Sequence, residues 1–271
     1  MNNTTLPPVL EPTQLESQLN QDKLRIIDLC KFETYAYGHI PGAIHIEYKE
    51  IVAAQPPVMG LLPDADGMAN ITAKIGLTPD THLVAYDDEG GGKAARLLWT
   101  LATIGHRNLS LLNGGIHAWV NEGHPLQQQI NTATPTHYDI SQNDSVVATR
   151  DYIEQHLHDN KVVLLDNRSP EEYSGAKRYS ARGGHIPGAI NLDWVHMLDK
   201  ENNTRLKPDA ELHALLHAHG ITPDKTIVTY CQTNHRSALV YYVLSALDYP
   251  DVRAYPGSWS DWGNRNDTPI E

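Results

Sequence analysis

The sequence predicts an α/β protein built from two copies of one unit, each with a mainly parallel central sheet and helices on both faces. Three observations carry this expectation. The same landmarks recur in the same order in both halves, short apolar runs alternate with helical stretches, and a polar segment separates the halves. Alternation of that kind marks βαβ units. An internal repeat outranks other signals because it sets the architecture.

The duplication is explicit. Gly38-His39-Ile40-Pro41-Gly42-Ala43-Ile44 returns as Gly184-His185-Ile186-Pro187-Gly188-Ala189-Ile190. Ahead of the copies stand Leu24-Arg25-Ile26-Ile27-Asp28 and Val162-Val163-Leu164-Leu165-Asp166, apolar runs closed by Asp that read as buried strands. Ile75 to Thr81 matches Gly220 to Thr226, and each copy leads into a further strand, Leu83–Tyr86 and Ile227–Tyr230. Asn113-Gly114-Gly115-Ile116-His117-Ala118-Trp119 matches Pro256-Gly257-Ser258-Trp259-Ser260-Asp261-Trp262. Helices are expected over Lys93–Thr103 and Ser237–Leu247. The spacing is not constant, since Asp28 and Asp166 are 138 apart while His39 and His185 are 146 apart. Eight extra residues therefore lie between strand and turn in the second copy, in a stretch holding Lys177, Arg178 and Arg182 and no acid.

At 271 residues the chain has the length of one large domain or of two ordinary ones of ~150 residues. Leu126 to Asp144 is rich in Gln, Thr, Asn and Pro and reads as an extended strap. The expected division is 1–128, a linker over 129–144, and 145–271. Apolar residues make up 40% of the chain and charged ones 20%, enough for cores and unlike a disordered chain. Acids outnumber bases 33 to 21, a formal charge of −12, which disfavours a nucleic-acid-binding surface. No apolar run approaches the ~20 residues of a membrane span. The first ten residues lack the pattern of a secretory signal, so neither nucleic acid nor membrane is an expected partner and the cytoplasm is the expected location. The fifteen histidines are scattered, with no His-x-x-x-His joined by a Cys-x-x-Cys or a third ligand, and two cysteines make no disulfide framework.

Chemistry is expected at one loop. The strand ending in Tyr230 runs directly into Cys231-Gln232-Thr233-Asn234-His235-Arg236, with a helix following. The C-terminal end of a parallel strand is where open α/β sheets bind ligands. Backbone amides there can form an anion cradle, and the helix N-terminus adds positive potential. Together with Arg236 and His235 these features favour the thiolate of Cys231. The succession of polar residues makes poor core material. Arg236 is expected to act on the site either directly or by tying the loop to the helix, and His235 either faces substrate or caps.

The first copy has Asp87-Asp88-Glu89-Gly90-Gly91-Gly92 in the same place, with Asp87 where Cys231 stands. A carboxylate cannot carry sulfur exchange, which needs a thiolate. The expectation is a retired loop; an aspartyl-phosphate or metal site on Asp87, Asp88 and Glu89 is the rival. Cys30 aligns with Arg168 and is expected to be structural. His39 and His185 read as turn-fixing residues, Asp166 and Arg168 as local polar support, and Trp194 as a rim residue.

These motifs together resemble the rhodanese family of sulfurtransferases in its tandem form, over nearly the whole chain. Three elements carry the likeness: Tyr35-x-x-x-His39-Ile40-Pro41-Gly42-Ala43 with its repeat, the Cys231–Arg236 loop, and Tyr255-Pro256-Gly257-Ser258-Trp259-x-Asp261-Trp262. The loop is close to the Cys-Gln-Thr-His-His-Arg loop of some bacterial thiosulfate sulfurtransferases. The resemblance implies two rhodanese-like domains. The second would be active through a persulfide on Cys231, with Gln232, Thr233, Asn234, His235 and Arg236 as the active-site loop, and the first an inactive copy. It implies a small-molecule sulfur donor, thiosulfate, and a thiophilic acceptor such as cyanide or a thiol, with an acceptor protein as a further partner. No metal or organic cofactor is expected.

Two departures refine this. The Cys-Gly-Ser-Gly-Val-Thr loop of mercaptopyruvate-using members is absent, which disfavours that donor. Animal rhodaneses carry a substrate-anion arginine where counting from Arg168 reaches Glu172. The anion contact is then expected from Arg236 or from Lys177, Arg178 and Arg182. Phosphatases and arsenate reductases on this architecture place five residues between Cys and Arg; four stand here. A non-catalytic persulfide relay is the other alternative.

Overall fold

The computed structural model describes residues 6–271. In chain order the first half holds β1 (Val9–Leu10), α1 (Pro12–Glu16), β2 (Leu24–Asp28), α2 (Phe32–Tyr37), β3 (Ile44–His45), β4 (Ala53–Gln55), β5 (Val58–Leu61), α3 (Ala65–Ile75), β6 (His82–Tyr86), α4 (Gly92–Ala102), β7 (Leu109–Leu112) and α5 (Gly115–Asn121). The second holds α6 (Arg150–Gln155), β8 (Val162–Asp166), α7 (Pro170–Tyr173), β9 (Ile190–Asn191), β10 (Leu198–Asp199), β11 (Arg205–Leu206), α8 (Asp209–Ala218), β12 (Thr226–Tyr230), α9 (Arg236–Ala246), β13 (Val252–Ala254) and α10 (Ser258–Trp262). The expected α/β architecture is present twice.

Two compact units emerge, and each includes a hairpin from the other half of the sequence. One comprises residues up to Ile51, Pro63–Gln142 and Leu198–Leu206; the other comprises Val52–Leu62, Asn143–Met197 and Lys207–Glu271. The first unit has a five-stranded sheet ordered β1-β7-β6-β2-β3, with every pair parallel. The second has a four-stranded parallel sheet ordered β13-β12-β8-β9. The central strands are apolar on both faces because helices cover both. Val163, Leu164 and Leu165 are buried in succession, as are Ile227 and Val228.

Register repeats with composition. Asp28 pairs with Tyr86 at the ends of β2 and β6, and Asp166 with Tyr230 at the ends of β8 and β12. Each strand pair therefore delivers its following loop to the same end of its sheet. In the first unit the Tyr86 hydroxyl donates to Asp28 at 2.5 Å. In the second, Arg168 takes that carboxylate, with Nη2 2.6 Å from Asp166, and its guanidinium lies 4.4 Å from the Trp259 ring. Asp166 and Arg168 thus act as buried polar support.

The repeated histidines behave as turn-fixing residues. His39 stacks on Tyr35 and His185 on Tyr173, with centroids 3.8 and 3.6 Å apart. Each Nδ1 bonds the carbonyl of the same tyrosine. The segment after α5 runs without regular structure along the first unit, where Asn131 donates to Ala43 and Thr136 to Leu77. Among the described residues no helix is long and apolar enough to cross a membrane.

Candidate active site

Cys231 follows β12 directly and is fully buried, and α9 begins at Arg236. Between them the loop doubles back tightly, with Asn234 at φ +51°, a left-handed conformation that Asn tolerates better than most residues. Asn234 is buried and its side-chain oxygen accepts from Ser237 Oγ at 2.8 Å.

The loop is held from behind by the start of α10. Ser258 Oγ accepts from the amides of Cys231, at 3.3 Å, and Asn234, at 3.1 Å, and donates to Tyr255 O at 2.8 Å. The amides of Trp259 and Ser260 donate to Cys231 O and Gln232 O at 3.0 and 2.9 Å. Two loop amides therefore turn away from the sulfur, while those of Ser237 and Thr233 donate to it.

Electrostatics favour the thiolate. Burial pushes the Cys231 thiol up, but the Arg236 guanidinium and then the Ser237 and Thr233 donors reverse that and bring it down to about 7. Ser237 Oγ has one proton to share between Asn234 Oδ1 and the sulfur, so the amides and Arg236 carry the steady contribution. Arg236 is itself fixed by a two-point ion pair with Glu172, Nη1 to Oε2 at 2.6 Å and Nη2 to Oε1 at 2.8 Å. Glu172 also closes a capping box with Ser169 at the start of α7.

Beside the loop lies a cavity of about 490 Å³ lined in part by Gln232, Thr233, Arg236 and Glu172. Of the loop residues expected at the site, Gln232, Thr233 and Arg236 reach this cavity. Asn234 is spent on loop geometry, and His235 is half-buried at the N-cap of α9. The basic insertion divides. Lys177 lines the cavity, Arg178 is exposed, and the terminal nitrogens of Arg182 donate to Trp262 O, Thr268 O and the Thr268 hydroxyl. Arg182 is therefore part of the framework and not an anion contact.

These features reproduce the Cys-loop architecture of one family, and the comparisons agree. Residues 11–122 and 149–265 each match the rhodanese-like domain. The chain belongs to the rhodanese family. It is 42% identical over 267 residues to a thiosulfate sulfurtransferase of Azotobacter vinelandii, covering 98% of both chains. It is 41% identical to a Pseudomonas aeruginosa protein of the same name, covering 98% and 97%. The Thermus thermophilus sulfur carrier protein TtuD is 34% identical, over 97% and 96% of the two chains. The crystal structure of SseA from Escherichia coli, a 3-mercaptopyruvate sulfotransferase, superposes with a TM-score of 0.83 at 26% identity, covering 94% of this chain and 99% of that one. The present protein is thus a sulfurtransferase with two rhodanese domains.

Within this rhodanese the first loop is closed by its own side chain. The Asp87 carboxylate is buried and accepts from the amides of Glu89, Gly91 and Ala94 at 3.0, 2.8 and 2.9 Å. Both of its oxygens accept from loop amides, so this carboxylate is committed to holding its own loop. Gly92 stands at the helix position of Arg236, and Gly115 at that of Ser258. Cys30 is buried, and desolvation with the nearby Asp28 pushes its thiol upward, as a structural cysteine requires.

Ser258, Ser237 and Glu172 were not singled out as functional by sequence. Ser258 left a trace, the Gly115/Ser258 mismatch between the copies. Glu172 left another, the Ser-x-x-Glu pattern of Ser169 to Glu172.

Proposed function

We propose that this rhodanese moves the sulfane sulfur of thiosulfate to a thiophilic acceptor through a persulfide on Cys231. The observation that carries the reading is the buried thiol, lowered to about 7, facing Thr233 and Ser237 amides under the charge of Arg236. Relatives at 41–42% identity named thiosulfate sulfurtransferase supply the donor.

The Cys231 thiolate attacks the outer sulfur of thiosulfate. The new S–S bond forms as the old one breaks, and sulfite leaves with the electron pair. The cradle amides and Arg236 stabilise the charge carried onto the terminal sulfur. Cyanide or a thiolate then attacks that sulfur, and the Cys231 thiolate departs. Charge is conserved in both steps, and the covalent intermediate divides one exchange into two. Cys231 exposes no surface, so donor entry goes with a small shift of cavity-lining side chains such as Gln232. In this reading Gln232 and Thr233 border the donor path, Asn234 shapes the loop, His235 seats the helix start, and Arg236 provides charge. The first domain is the inactive copy. A reducing, cytoplasmic setting suits a thiol held this reactive.

The four-residue gap between Cys231 and Arg236, with two loop amides diverted to Ser258, gives a ring sized for one sulfur atom. That favours sulfur over phosphate or arsenate. The loop also lacks the mercaptopyruvate pattern, and the mercaptopyruvate relatives are more distant, at 30% identity. The likeness to the sulfur carrier protein of Thermus thermophilus favours a second reading, in which the persulfide is relayed to a protein acceptor.

Steady-state kinetics with thiosulfate and cyanide test the proposal. Parallel double-reciprocal lines for thiocyanate formation, abolished in Cys231→Ser, support it. Intersecting lines, or turnover retained by that variant, overturn it.

A further inference from the structure

The cavity beside the loop is larger than the proposed reactants need. At about 490 Å³ it falls within the ~300–1,000 Å³ of pockets that hold small organic ligands, whereas thiosulfate and cyanide are ions of a few atoms. Its floor is electrically settled, because Glu172 and Arg236 engage each other at two points. The remaining walls have a different character. Met59 and Tyr179 are large apolar side chains 45% and 59% exposed, and Pro57 lies beside them. Exposed apolar surface gathered at a cavity marks a binding wall. Lys177 lines the same cavity, its ammonium 5.1 Å from the centroid of the Tyr179 ring, and among the described residues it makes no ion pair.

Met59 is not a loose neighbour. It sits on β5, in the hairpin that the first half of the sequence contributes to this unit. Its amide donates to Ser260 Oγ at 2.9 Å, and the Ser260 amide donates to Gln232 O at 2.9 Å. The adjacent Gly60 has φ +73° and packs so tightly that a Cβ there would lie 2.1 Å from Thr233 O. The hairpin is thus registered directly on the Cys231 loop, and Met59 is held at a fixed place along the cavity.

We propose that Met59 and Lys177 are acceptor-specificity residues, selecting a small organic thiol with an apolar body and an anionic end. The proposal rests on the persulfide chemistry argued above and names the acceptor class for the same site. The apolar body lies against Met59, Pro57 and Tyr179, and the anionic end pairs with Lys177. The thiolate R–S⁻ attacks the terminal sulfur of the Cys231 persulfide. The bond between that sulfur and Cys231 breaks, and the products are R–S–S⁻ and the Cys231 thiolate. No oxidant or reductant enters. The arrangement also gives the first half of the sequence a role in selectivity, although its own loop carries no nucleophile.

The test is discharge of the full-length protein after loading with thiosulfate, using mercaptohexanoate, its uncharged analogue mercaptohexanol, and cyanide as acceptors. The wild type is expected to prefer mercaptohexanoate to mercaptohexanol. In Lys177→Met that preference falls about fivefold, the scale of one partly exposed charge contact. In Met59→Ala the kcat/KM of both thiols relative to cyanide falls about fivefold. A purely structural role would move all three acceptors together and leave these ratios alone. Ratios that stay at wild-type values in both variants, on protein shown by mass to carry the extra sulfur, overturn this inference alone. Failure of thiosulfate to load the wild-type protein overturns the persulfide reading and this inference with it.

Discussion

Glu172 holds both terminal nitrogens of the Arg236 guanidinium, at 2.6 and 2.8 Å, and so fixes the charge that acts on Cys231. The pair is largely buried, with side chains 5% and 21% exposed. Removing the carboxylate leaves the guanidinium to act on the sulfur without a competitor. Glu172→Gln is expected to lower the Cys231 thiol below about 7 and to destabilise the fold by about 3 kcal/mol, the low end for breaking a buried pair. The pH dependence of Cys231 alkylation and denaturant unfolding measure the two effects. A thiol midpoint that rises would contradict this account.

The two cysteines should titrate far apart. With Cys231 near 7, its alkylation rate is expected to rise through a midpoint near pH 7, while Cys30, pushed up by burial and by Asp28, stays unreactive over the same range. The linkage has a definite sign. The folded state lowers the Cys231 thiol, so the stabilisation is complete above the unfolded thiol value and is lost as pH falls through about 7. Peptide-resolved iodoacetamide labelling across pH checks this. Equal labelling of Cys30 and Cys231 would refute it.

Ser258 is predicted to matter as much for the loop as Arg236 does for the charge. Its hydroxyl accepts two buried amides, and Ser258→Ala strands both. The expected cost is about 2 kcal/mol in stability. Persulfide formation should also slow by about tenfold, because the loop relaxes away from the sulfur. Stopped-flow release of sulfite from thiosulfate separates this from a stability effect alone. Ser258→Gly keeps a comfortable backbone at φ +50° but lacks the hydroxyl, and is expected to be equally slow. A fast Ser258→Gly would show that backbone conformation, and not the hydroxyl, holds the loop.

Much of this was legible in sequence, for reasons that concern distance along the chain. The strands ending in Asp28, Tyr86, Asp166 and Tyr230 are continuous apolar runs, and the Cys231–Arg236 loop is six consecutive residues, so the fold and the proposed nucleophile could be read locally. Ser258 acts on amides 24 and 27 positions away, Glu172 on a residue 64 away, and Met59 bonds a residue 201 away. No local pattern encodes such contacts. Glu172 reads in sequence as the absence of a substrate arginine; folded, it is the partner of Arg236. Arg182, read as a candidate anion contact, is drawn instead to carbonyls of Trp262 and Thr268.

The first domain's loop is predicted to resist revival by a nucleophile alone. In a Cys231→Ser background, Asp87→Cys is expected to give no thiocyanate above blank, since Gly92 supplies no guanidinium and Gly115 no hydroxyl. Asp87→Ala should cost about 3 kcal/mol, because three amides lose their buried carboxylate acceptor, a group whose pKa burial pushes upward. Turnover in the double variant would show that the cradle alone suffices.

The most direct measurement is the intact mass of the protein after thiosulfate exposure without any acceptor, followed by peptide mapping. A gain of one sulfur atom is expected, located on the peptide containing Cys231, absent in Cys231→Ser and removed by cyanide. No gain in mass on folded wild-type protein, or the same gain in Cys231→Ser, would contradict it.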